Sequence, residues 1–286
     1  MKALVIRNLK LYFRDRIAVF FSLLTVFIII ALYVFFLGDM MINDVKEAGI
    51  INAKELMDSW VMAGLFTVVS LTTTLGALSS MVDDNSKKIS NDFTASPLKS
   101  SALVAAYILS SFLIGMVMSI FAFVVAEVYL YSSGGSILSG PAMIKTFACM
   151  ILSVLAGGSM VFFITCFIKS QSAFNSVNIV IGTLIGFLTG IYIPIGQLPS
   201  AVQTVIKLFP PSHAGLLFRQ IMMEIPLKEA FDKAPKESLA AFKETMGLSF
   251  SFNGELSSWW VSIAVLIITT ILFYGLSLVI IKRKNR

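Results

Sequence analysis

The sequence predicts an all-α integral membrane protein: six transmembrane helices, an N-terminal amphipathic interfacial helix, and an extracellular re-entrant helical hairpin between spans five and six. Three observations carry this expectation. The 286-residue chain is 57% hydrophobic and only 13% charged, with a mean hydropathy of +0.88, whereas a soluble domain carries about 25% charged residues. Six apolar runs are long enough to cross about 30 Å of hydrocarbon. Basic residues gather on alternate connections, as orientation signals do. The runs are continuous rather than alternating, so the spans are helices, the form that satisfies its own backbone polar groups in lipid.

Segment 1–16 places Val5, Leu9, Tyr12 and Phe13 on one helical face and Arg7, Lys10 and Arg14 on another. This predicts a basic helix lying along the cytoplasmic membrane surface; the plainer reading is flanking positive charge. The spans are expected at 17–37, 60–82, 102–126, 144–168, 173–193 and 259–281. The first follows a long basic lead and precedes no small-residue cleavage site, so it is expected to be a span rather than a removed signal. Between spans two and three, 83–100 reads "DDNSKKISNDFTASPLKS". Asp83 or Asp84 is expected to cap a short helix running to Phe93 or Thr94, which Pro97 stops. In 194–258, Pro199, Pro210, Pro211 and Pro226 break the chain into two apolar pieces, 200–209 and 212–223, capped by Ser200 and Ser212. Each is too short to span and suits a helical hairpin dipping into the outer leaflet. The remainder, 227–258, is polar and mixed in charge, and is expected to be a solvated cap.

Orientation follows from charge. The side holding both termini carries Lys2, Arg7, Lys10, Arg14, Arg16, Lys87, Lys88, Lys99, Lys169, Lys282, Arg283, Lys284 and Arg286, but only Asp15, Asp83, Asp84 and Asp92 among the acids. That side is expected to be cytoplasmic. The opposite side carries Asp39, Asp44, Glu47, Glu55 and Asp58 in its first loop, and Trp60, Trp259 and Trp260 sit at span ends as interface anchors do. A pI near 9.3 therefore reads as topology rather than as a nucleic-acid footprint.

Several function classes find no support. The span centres hold no Asp, Glu, Lys, Arg or His, and Glu127, Lys145 and Lys169 lie at span ends, which argues against an ion-coupled pump. No G-x-x-x-x-G-K-[ST] loop is present. Gly157-Gly158-Ser159 lacks the spacing of a nucleophile elbow and reads as close helix packing. Cys149 and Cys166 are roughly 25 Å apart along one helix, too far for a disulfide, and a lone His213 supplies no metal cluster. Gly182, Gly186 and Gly190 clear one face of the fifth span for close helix packing, within the chain or across a dimer. Thr72, Thr73 and Thr74 are expected to bond their own helix carbonyls.

Taken in order, the amphipathic N-terminal segment, the charged loop ending in "FTASPLKS" and the proline-broken "LPSAVQTVIKLFPPSH" resemble the permeases of type-2 ABC exporters. The resemblance covers almost the whole chain. Its best local marks are Ser96-Pro97-Leu98 and the stretch from Leu198-Pro199 to Pro210-Pro211. Many members carry Glu and Arg with a glycine before the Ser-Pro element; here Asp83-Asp84-Asn85-Ser86-Lys87-Lys88 stands there. The resemblance implies paired permease subunits in the cell membrane, each docking a cytoplasmic ABC ATPase that binds the ATP and Mg, with no cofactor in this chain. It places the ATPase contact at Asp84, Lys87, Lys88, Asp92, Phe93 and Pro97, with the N-terminal helix bracing it. It places an outer gate at Leu198, Pro199, Phe209, Pro210, Pro211 and His213. Substrate would pass between subunits along spans one, two and five, and abundant Phe and Met favour a hydrophobic or amphipathic drug, lipid or peptide. A polysaccharide exporter, an ATP-independent channel or secondary carrier, and a membrane enzyme or scaffold are the alternatives.

Overall fold

An uninterrupted apolar run closes its own backbone hydrogen bonds as helix, and the computed structural model is helical almost throughout the residues it describes, 1–89, 100–232, 234–252 and 255–284. The chain runs α1 (Lys2–Arg14), α2 (Arg16–Leu32), a π-helical turn (Tyr33–Leu37), α3 (Gly38–Glu47), α4 (Ala53–Ser86), α5 (Ser100–Ser132), α6 (Gly140–Thr165) and α7 (Gln171–Leu188). A 3₁₀ turn (Ile195–Gln197) leads to α8 (Ser200–Leu208), α9 (Pro210–Met222), α10 (Glu224–Ala230), α11 (Lys236–Thr245) and α12 (Trp259–Lys284). Strands β1 (Ser251–Phe252) and β2 (Glu255–Leu256) pair antiparallel, with Ser251 opposite Leu256.

Six helices are long and apolar enough to cross a membrane: Arg16–Glu47, Ala53–Ser86, Ser101–Ser132, Gly140–Thr165, Gln171–Leu188 and Trp259–Ile281. They differ sharply in environment. The apolar stretch of α4 is 89% buried inside the protein, against 17% for the first, fifth and sixth spans. So α4 is the axis, with α5, α6, α7 and α9 packed on it, while α2, α7 and α12 keep most of their surface for lipid or a partner.

Small and hydroxylated residues allow this packing. A Cβ at Gly157 would stand 2.9 Å from Leu71 Cδ1, and one at Gly115 would stand 2.8 Å from Val154 Cγ1 and 2.9 Å from Thr74 Cγ2. Ser70 and Ser153 share a hydrogen bond of 2.6 Å between α4 and α6. Thr72, Thr73 and Thr74 bond the carbonyls of Val68, Val69 and Ser70, as expected of hydroxyls that face no water.

Three expectations need correction. Asp39, Asp44 and Glu47 are not in a loop: the first helix runs unbroken to Glu47 through the π turn, and Glu55 and Asp58 already belong to α4. Asp83 and Asp84 do not cap a new helix; they lie in the last turn of α4, which continues to Ser86. Segment 227–258 is not simply a solvated cap, because Leu227, Phe231, Met246, Leu248 and Phe250 are buried in the main core. In each case helix or core extends beyond the apolar run because long-range contacts hold it there.

Candidate functional site

Of the residues singled out from sequence, Asp84, Lys87 and Lys88 lie at one end of α4, and the proline-broken hairpin starts near the other. At one end, α1 lays Leu4, Val5, Asn8 and Tyr12 inward, chiefly against α5. Phe13, expected on the apolar face, is exposed. Asp84 is nearly fully buried there, with its side chain 3% exposed. The guanidinium of Arg7 grips it in a fork, Nη1 to Oδ2 and Nη2 to Oδ1, both at 2.7 Å. The Tyr107 hydroxyl of α5 donates to Oδ2 at 2.5 Å, and Asn8 Nδ2 donates to Ser110 Oγ at 3.2 Å. A carboxylate in the last turn of a helix faces the negative end of its dipole; the paired cation and the hydroxyl offset that cost. One side chain thus ties α1, α4 and α5 together.

The other expected contact residues separate from Asp84. Lys87 is exposed and pairs with Asp83 at 2.8 Å. Lys88 is exposed and takes a left-handed φ of 61° just past α4. Asp92, Phe93 and Pro97 lie outside the described residues. Sequence reasoning placed Arg7 on the basic face of α1 and overlooked Tyr107, because nothing local links Asp84 to Arg7, 77 positions away, or to Tyr107, 23 away.

At the opposite end of α4, Asp58 has a similar setting. Its carboxylate accepts from the hydroxyl of Tyr33 at 2.7 Å, from Lys54 Nζ at 3.0 Å and from Ser133 Oγ at 2.9 Å. Tyr33 opens the π-helical turn, so the register shift in the first helix sits where that helix is tied to α4.

The hairpin begins at this end. Leu198 is half-buried, and Pro199 is exposed and precedes α8. Phe209, extended as a residue before proline must be, turns the chain into α9, with Pro210 in its first turn. The two arms differ. Residues of α8 are largely exposed except Ile206, whereas α9 is buried from Pro211 to Arg219 and wedges between α4, α6 and α12. The Ser212 hydroxyl donates to the carbonyls of Ile206 and Phe209. His213 Nε2 lies 2.9 Å from the Lys207 carbonyl, an acceptor only, so this nitrogen carries the proton; Nδ1 then accepts from Ser262 Oγ at 3.1 Å. Burial pushes the imidazole below its ordinary range. His213 therefore latches the two arms to each other and to α12.

Arg219, which sequence reasoning passed over, is fully buried. Its Nη2 donates to the carbonyls of Thr189 and Gly190, both at 2.9 Å, where α7 ends. Its guanidinium stacks over Trp60 of α4 at 4.7 Å, and the Trp60 indole N–H donates to the Met246 carbonyl at 2.7 Å. Burial lowers the Arg219 pKa to about 9. The signal available in the sequence was that Arg219 is the one Lys, Arg, Asp or Glu within α9.

The three glycines of the fifth span do three different things. A Cβ at Gly182 would meet open space; one at Gly186 would collide with the Tyr192 ring; and Gly190, at φ +66°, ends the helix and offers its carbonyl to Arg219. Within the chain, the close helix approaches are made instead by Gly115 and Gly157.

The arrangement is mechanical: a buried rod tied at one end to α1 and at the other to the first helix, with Trp60 near that second end stacked on the arginine that holds the hairpin to α7. Among the described residues, no group of three His, Cys, Asp or Glu stands close enough to hold a metal ion. Residues 52–279 match a family model described as ABC-2 family transporter protein. A search of curated proteins found no match to the chain.

Proposed function

The chain belongs to the ABC-2 family of transporter proteins, and from that premise we propose that it is the membrane-spanning permease subunit of an ATP-driven exporter. Two permease subunits pair, and each docks a cytoplasmic ABC ATPase that binds the ATP and Mg. The end of the bundle that carries α1 faces the cytoplasm, where the positive-inside bias puts both termini. The membrane is the cell membrane, and no nucleic acid is involved.

The observation that carries the reading is the Arg7–Asp84–Tyr107 junction. It binds α1 and the start of α5 to the end of α4, at the head of segment 83–99, where the ATPase contact is proposed; Asp84, being buried, anchors that segment rather than touching the ATPase. A push on that segment then moves three helices together. Exposed Ile6 and Phe13, seven positions apart on one side of α1, rest in the inner leaflet. Along the buried rod, movement reaches Asp58 and Trp60, and through Arg219 the hairpin that forms the outer gate.

The substrate is hydrophobic or amphipathic and passes between subunits. The first and fifth spans support this, since they expose Phe20, Phe27 and Phe35, and Ile179, Leu184 and Phe187. Such a wall suits a drug, lipid or peptide better than a polysaccharide. The test is reconstitution in liposomes with the ATPase that copurifies under mild detergent. Efflux of an amphipathic dye is expected only with ATP and that partner. Efflux by the purified chain alone would overturn the reading.

A further inference from the structure

A second apolar site lies on the outside of the bundle, on α6, α9 and α12, away from the first, second and fifth spans. It is a cavity of about 470 Å³, within the range that holds a small organic ligand. Its three helices share one gradient of polarity. On α6, Lys145 gives way to Cys149 and then Leu152; on α9, Glu224 just past the helix end gives way to Gln220 and then Leu217; on α12, Trp259 gives way to Ile263. Each step is about one helical turn, so two walls pass from charged to apolar while the third passes from an interfacial tryptophan to isoleucine. That is the profile of one leaflet of a bilayer, from headgroup to chain. Lys145 and Glu224 form an ion pair of 3.0 Å across the mouth.

Above the mouth a second cavity, of about 510 Å³, shares Gln220, Glu224 and Trp259 with the first. It presents Lys228, Lys243 and Asp232. With Lys145 and Glu224, the two compartments offer cations and carboxylates side by side. A purely anionic headgroup would meet Glu224 and Asp232; a purely cationic one would meet three lysines. A zwitterionic headgroup matches both signs. Ile144 and Trp260, next in sequence to the lining residues Lys145 and Trp259, are exposed apolar residues suited to lipid contact.

We propose that this is a binding site for one zwitterionic phospholipid of the outer leaflet, with an acyl chain between α6, α9 and α12 and its headgroup among Lys145, Glu224 and Lys228. It rests on the chain's being a membrane protein and, for the choice of leaflet, on the proposed orientation with the α1 end in the cytoplasm, not on the exporter reading. Because α9 forms one wall, the lipid seals the hairpin against two spans.

The test needs no ATPase. The full chain is placed in liposomes containing a phosphatidylethanolamine with a photoactivatable diazirine in mid-chain, irradiated, and its adducts mapped. Adducts are expected to concentrate on Cys149, Leu217 and Ile263 over Ile268 and Ile271, exposed on the same α12. Ala148→Phe or, independently, Leu152→Phe fills the cavity. Either should cut the cavity adducts about tenfold, the effect of ~1.4 kcal/mol in binding, while adducts at Ile268 stay constant and report an intact fold. Glu224→Lys should shift preference toward an anionic phosphatidylglycerol probe. Equal labelling of Cys149 and Ile268, or cavity adducts unaffected by either phenylalanine, would overturn the site. So would clearance of the label by a water-soluble amphiphile but not by unlabelled phospholipid.

Discussion

At the scale of single residues, the buried charge with the fullest set of charged and hydroxyl partners at the α1 end is Asp84. Asp84 is buried and, among the described residues, carries the Arg7 guanidinium and the Tyr107 hydroxyl. Arg7→Ala would leave its carboxylate without a counter-charge, at a cost of about 2–3 kcal/mol, toward the low end for buried pairs because Arg7 keeps some access to water. Asp84→Asn should cost a similar amount. The double variant should cost clearly less than the sum of the two, by about 1 kcal/mol or more, in thermal unfolding of the purified protein. Strict additivity would mean that the pair does not hold α1. His213 supplies a pH test. Its imidazole is neutral and buried, with a pKa below the unfolded value of about 6.5. Between those two values the unfolded chain binds more protons than the folded one. The stability contribution is therefore complete above pH ~6.5 and declines as pH falls below it. The drop in Tm between pH 7.5 and 5.5 should shrink in His213→Asn; an unchanged drop would assign it to other groups.

At the scale of elements, what could be read in advance was set by how locally each signal is written. The six spans were legible because hydropathy is a property of the run itself, and Pro210 and Pro211 marked the break before α9. Neither Ser200 nor Ser212 is the expected cap, however: Pro199 and Phe209 hold those positions, and the two prolines open α9 themselves. Helix ends were not legible. Past the apolar run, helix is sustained by contacts such as Tyr33 on Asp58, 25 positions apart, and Arg7 on Asp84, 77 apart; no local pattern encodes those. The same limit applies to Gly182, Gly186 and Gly190, whose spacing marks a smooth face without saying what covers it. Gly182 stands open within the chain. Gly182→Leu should leave thermal unfolding of the chain within about 0.5 kcal/mol, yet weaken pairing of two permeases in a cross-linking assay if the face is their seam. Unchanged pairing would remove α7 from that seam. Gly196 offers the contrast, because its Cβ would lie 2.6 Å from the Thr245 Cα, a backbone atom that cannot rotate away. Gly196→Ala should destabilise by about 1–3 kcal/mol.

At the scale of the whole molecule, Asp58 and Asp84 are 26 positions apart on one helix, a separation of roughly 39 Å. Two buried carboxylates thus mark the ends of a rod longer than the hydrocarbon is thick. A densely packed rod shifts as a body rather than bending, so load applied near Asp84 is felt near Trp60, where Arg219 holds the hairpin. Arg7→Ala loosens the first end and Arg219→Met the second. If the rod couples ATP use to transport, each variant should still bind the ATPase and support hydrolysis, but should export fewer molecules per ATP. The expected fall is roughly tenfold, on the scale of a coupling free energy of about 1.4 kcal/mol between sites. The double variant decides whether one path exists. Two breaks in a single path should be little worse than one, whereas two independent routes would make the losses multiply. Turnover per ATP in the four combinations, measured in the same liposomes, separates these cases; full coupling in Arg7→Ala would show that force enters the permease elsewhere.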